Sequence, residues 1–111
     1  MKNEVEKMID ASGGYAVIFT SLRSEGEDEA YTGIARPMLS LTSQQPGCLG
    51  VESVRDAEGK GITVSYWKDR AAVEAWKHHA DHAEARAQGR ARWYQSFTVR
   101  ICRIEKEYGL S

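Results

Sequence analysis

Cysteine and proline are both scarce in this chain, two of each among 111 residues. Cys48 and Cys102 lie far apart and in no Cys-x-x-Cys spacing. That argues against a disulfide scaffold or a zinc module and points to free thiols in a reducing cytoplasm. No run approaches the roughly 20 apolar residues of a membrane helix, and the charged opening MKNEVEKMID has no signal-peptide apolar segment. An excess of charge of one sign is missing too. Fifteen basic residues balance sixteen acidic ones, for a formal net charge of -1, which removes the electrostatic case for a nucleic-acid or anionic-membrane partner. There is no phosphate-binding loop, Gly-x-Ser-x-Gly elbow or Gly-x-Gly-x-x-Gly turn after a strand, and so no dedicated cofactor motif.

What is present is globular. The chain is 41% apolar and 28% charged, and its length suits one domain with one core. Residues 1–14 read as an N-terminal arm ending at Gly13-Gly14, and residues 15–109 as the domain. YAVIFTSLR (15–23) is a strand apolar on both faces, Tyr15, Val17 and Phe19 on one, Ala16, Ile18 and Leu22 on the other. Tyr31, Ile34, Met38 and Leu41 follow at helical spacing behind the acidic run 25–29, with a kink expected between Gly33 and Pro37. Gln45-Pro46-Gly47 ends that helix in a turn.

CLGVESVR (48–55) and GITVSYW (61–67) form a hairpin around residues 56–60. In the second strand Ile62, Val64 and Tyr66 share one face, and Thr63, Ser65 and Trp67 the other. Asp69 caps a helix that buries Ala72, Val73, Trp76 and Ala80, with a break expected near Asp81 or Gly89. Residues 94–108 read as one long last strand. The order β-α-β-β-α-β is the ferredoxin-like arrangement, an α+β fold with two helices on one face of an antiparallel sheet. The uncovered apolar face predicts a homodimer with its sheets face to face.

Trp67, beside Ser65, is expected to point toward the helices, where an indole and hydroxyls suit a small aromatic ligand. His78, His79 and His82 are the three histidines. Without the His-Glu-x-x-His pattern or a third ligand, no metal is expected. His82 is retained as a pocket residue able to move a proton at neutral pH. Arg86 or Arg90 suits an anionic ligand group. Seven acids in residues 1–31 face a basic stretch from Arg86 to Lys106 that holds one acid, Glu105, so the ends of opposite sign are expected to meet within the dimer.

The segments GYAVIFTSLR, QQPGCLGVESVR, GITVSYWKD, AVEAWKHHADHAEA and AQGRARWYQSFTVRICRIEKEYG occur in this order over residues 14–109. Together they resemble the antibiotic biosynthesis monooxygenase (ABM) family. The resemblance implies a dimeric α/β-barrel of two ferredoxin-like halves, with a pocket between helices and sheet. It implies a monooxygenase oxidising a small aromatic or quinol with O2 and no dedicated cofactor. The alternatives are a haem-degrading enzyme and a non-catalytic small-molecule-binding protein of the same fold. By resemblance Trp67 lines the pocket; position and chemistry place Thr20, Ser65, Tyr66 and Trp76 there too, with Trp67 expected to stack on the substrate, His82 or Tyr66 to relay a proton and Arg86 to stabilise an oxyanion. Haem is disfavoured. Thr20 or Ser21 stands where the haem-degrading branch has an asparagine, and Arg86 stands at its haem-ligand position.

Overall fold

The structure, a computed structural model, describes residues 11–23, 40–87 and 94–110. Four strands, β1 (Tyr15–Arg23), β2 (Cys48–Arg55), β3 (Lys60–Trp67) and β4 (Tyr94–Arg103), form one antiparallel sheet in the order β2-β3-β1-β4. One long helix, α1 (Arg70–Ala87), joins β3 to β4. A helical turn at residues 40–43 ends just before the Gln45-Pro46-Gly47 turn. This is the ferredoxin-like α+β fold expected from the sequence. Tyr31, Ile34 and Met38, with the kink at Pro37, lie outside the described residues.

The hairpin closes at Asp56. Its Oδ1 accepts the Glu58 and Lys60 amides, both at 2.9 Å, and Gly59 takes φ +97°. Alternation along β3 is realised residue by residue. Trp67, Ser65, Thr63 and Gly61 pair with Tyr15, Val17, Phe19 and Ser21 of β1, and form one face. Tyr66, Val64 and Ile62 pair with Ala16, Ile18 and Thr20, and form the other. α1 covers the first face through Trp76, which stacks on Trp67, and through Val73, 2% exposed.

The cap predicted for α1 forms, with the Ala72 amide donating to Asp69 Oδ1 at 2.8 Å. Gly47 brings the sheet and helix together. Its φ is +85°, and a Cβ there would lie 2.6 Å from the Ala72 Cβ, so the turn after Pro46 requires glycine.

Two boundaries differ from the sequence reading. No break occurs at Asp81, since α1 runs on to Ala87. Alanines at 80, 83, 85 and 87 outweigh the few tenths of a kcal/mol that an aspartate costs inside a helix. Gly89, the other site named for a break, lies outside the described residues. The last strand ends at Arg103 rather than Tyr108. Its partner β1 starts at Tyr15, and one further link, between Ile104 and Gly13-Gly14, precedes the turn at Gly13, φ +83°. Of the N-terminal arm, Ala11 is buried and its amide donates to Glu107 Oε1 at 2.6 Å. Residues 1–10 lie outside the described part.

Candidate functional site

Trp67 is the centre of the helix-covered face. Placed last in β3, it meets α1 as the chain turns back across the sheet, and it is fully buried, 0% exposed. A buried indole N–H needs an acceptor, and Ser65, two residues back on the same face, supplies its Oγ at 2.8 Å. The Trp76 ring stacks against Trp67 at 6.4 Å with 21° between planes, and His79 stacks against Trp76 at 5.2 Å. The result is an aromatic series from the buried indole, through the half-buried Trp76, to the exposed His79. In this arrangement Trp76 supplies aromatic surface, while Trp67 is enclosed.

Farther along the same face the polar side chains are tied to one another. Ser53 and Thr63 share a 2.6 Å hydrogen bond. Arg55 reaches across β3, donating from Nη2 to Ser21 Oγ at 2.8 Å and from Nη1 to the Gly59 carbonyl. Gly61 makes that crossing possible, since a Cβ there would meet the guanidinium carbon at 2.6 Å. Phe19 and Phe97 stack at 5.4 Å and complete the floor toward β4.

The structure brings Trp67, Ser65 and Trp76 together. It sets Thr20 and Tyr66 on the opposite face of the sheet, where Thr20 pairs with Ile62 and Tyr66 with Ala16. Tyr66 donates to Glu52 Oε1 at 2.8 Å. Burial, the hydrogen bond to Glu52 and the charges of Glu52 and Glu107 push its phenol up to about 12. His82 and Arg86 lie on α1, and their side chains are outside the described part. His78 and His79 are exposed. Among the described residues no group of three or more His, Cys, Asp or Glu is arranged to hold a metal ion. Burial pushes the Cys48 thiol up, against a smaller opposing effect from its contact with the Gly50 carbonyl.

The Arg55–Gly61–Ser21 crossing was not anticipated from sequence. Its signal is parity. Once the hairpin register is set, Arg55 faces Gly61, and a glycine there leaves room for a long side chain.

Comparison with known proteins places these features in a family. The sequence model for antibiotic biosynthesis monooxygenase matches residues 14–88. The uncharacterised protein YqjZ of Bacillus subtilis strain 168 is 50% identical over 93 residues, 84% of this chain and 81% of that protein. Rv0793 of Mycobacterium tuberculosis is similar in structure, with a TM-score of 0.71 at 18% identity, over 86% of this chain and 99% of that one. The heme-degrader MhuD of the same organism, solved with two hemes bound in its active site, has a TM-score of 0.63 at 19% identity, over 86% of this chain and 99% of that one.

Proposed function

The chain belongs to the antibiotic biosynthesis monooxygenase family, and from that premise we propose that it is a homodimeric, cytoplasmic monooxygenase oxidising a small aromatic or quinol with O2 and no dedicated cofactor. The observation that carries this reading is the aromatic pair between sheet and helix, Trp76 against a Trp67 whose N–H is held by Ser65. Such a wall binds a flat, electron-rich ring and excludes water from it.

The chemistry asks little more of the protein. For an anthrone-like substrate, a base removes a ring proton and the resulting anion passes an electron to O2. The radical pair joins at carbon and loss of water leaves a carbonyl. One oxygen atom stays in the product, the other leaves as water, and the substrate's CH2 has become C=O. His82 is the base in this reading and Arg86 the cation that steadies the oxyanion. Tyr66 takes no part, since it stands on the other face and its phenol titrates near 12.

Haem is the alternative, and it requires an axial ligand. The histidines with described side chains, His78 and His79, are both exposed on α1, and Ser21, on the Trp67 face of β1, is occupied by Arg55. His82, on α1, is the residue of this chain that would supply that ligand.

The test is oxygen uptake by the purified protein with anthrones and hydroquinones. Uptake well above that of Trp76→Ala and His82→Ala supports the enzyme reading. Uptake no greater than theirs for every compound replaces it with the non-catalytic binding protein. A Soret shift on adding haem that His82→Ala abolishes replaces it with the haem enzyme.

A further inference from the structure

The helix-covered face ends, away from Trp67, in a patch with a polar half and an aromatic half. Two neighbouring rows of the sheet build it. In one, Ser53, Thr63 and Phe19 are cross-strand partners; in the other, Arg55, Gly61, Ser21 and Phe97. The guanidinium and the paired hydroxyls therefore come from β2 and β3, and the two phenyl rings from β1 and β4. Gly61 stands six positions before Trp67 in β3, about 20 Å along the strand, so the patch is separate from the Trp67–Trp76 wall. The Arg55 guanidinium is fixed in place by Ser21 Oγ at 2.8 Å and by the Gly59 carbonyl, and its planar fork matches a carboxylate. Ser53 and Thr63 share one hydrogen bond of 2.6 Å. That bond uses one hydroxyl proton, and the second hydroxyl keeps its own to donate. Phe97 stacks on Phe19 at 5.4 Å and is still 52% exposed, a surface on which another ring gains contact.

We propose that this patch binds a flat aromatic carboxylate, its ring on Phe97 and its carboxylate between the Arg55 guanidinium and the Ser53–Thr63 hydroxyls. The halves lie one inter-strand step apart, about 4.8 Å, which suits an acid attached directly to the ring. The two rows span about 7 Å along the strands and the four strands about 14 Å across them, room for one or two fused rings. A neutral ring gains the phenyl floor without the charge, and an inorganic anion gains the charge without the floor. An aromatic acid uses both halves. Binding here needs no oxygen chemistry, so it stands or falls apart from the oxidation proposed above.

Calorimetric titration with 2-naphthoate and with its uncharged amide tests this. The naphthoate is expected to bind, and the amide to bind about tenfold more weakly or worse, because it forfeits the charge-assisted bonds to Arg55. Arg55→Gln and Phe97→Ala are each expected to weaken naphthoate binding about tenfold or more. Phe97 is half exposed, so its alanine variant keeps the fold, which its melting temperature checks. In the wild-type complex, nuclear Overhauser contacts are expected between the naphthyl ring and the Phe97 ring. No naphthoate binding at millimolar concentration, equal binding of acid and amide, or contacts to Trp76 in place of Phe97 overturns the site. Binding lost in Arg55→Gln but intact in Phe97→Ala overturns it too, and leaves Arg55 as a tie of the hairpin alone.

Discussion

Trp67 and Tyr66 are neighbours in sequence and lie on opposite sides of the sheet. One is enclosed with Ser65 beneath α1, and the other donates to Glu52 on the open face. For Tyr66 this has a measurable consequence. Its phenol is raised to about 12, so between the ordinary value near 10 and 12 the folded chain holds a proton that the unfolded chain has released. The contribution to stability is therefore complete below about pH 10 and is lost as pH rises toward 12. Phenolate absorbance is expected to show one tyrosine titrating near 12, and Glu52→Gln to move it toward 10. An unchanged titration in that variant rejects the coupling. The separation of Trp67 from Tyr66 was legible from alternation alone. Which side chains cross the sheet was not, because the Arg55 to Ser21 bond joins residues 34 apart and depends on a register that no local pattern states.

At the scale of elements, α1 is set by its first turn. Asp69 holds the Ala72 amide, and Ala72 packs on Gly47 of the turn before β2. Asp69→Ala is expected to lower stability by about 1 kcal/mol, read as a lower denaturant midpoint at unchanged slope. No change in midpoint would mean that tertiary packing fixes the helix start. The strands and the cap were readable because each is announced locally, by alternation in 15–23 and 61–67 and by aspartate before an amphipathic run. The ends were not. Arg103 closes β4 because β1 has run out, and nothing within RICRIEKEY marks that point. Asp81 taken alone is a poor helix former, and the alanines around it carry α1 past it.

At the scale of the whole molecule, the homodimer proposed above would make association part of stability, through the apolar residues left on the open face. The melting temperature is expected to rise with protein concentration, since a partner that binds only the folded chain stabilises it by mass action. A midpoint constant over a hundredfold dilution series spanning the micromolar range contradicts this. The fold class and the family were legible because they rest on the order of elements and on motifs spread over the chain. The composition of the site was less so. Ser65, Trp67 and Trp76 converge as parity and helical spacing suggested, while Thr20 and Tyr66, named for the same pocket, have the opposite parity.

The alternation of β3 also governs how the chain can change in length. Because Trp67 and Tyr66 differ only in parity, inserting or deleting one residue inside Lys60–Trp67 would exchange the two faces wholesale. The phenol would go under the helix and the indole would be turned outward. Substitution can tune either surface separately, but an odd change in length damages both together. Descendants of this chain must inherit the eight positions of β3 as a fixed reading frame.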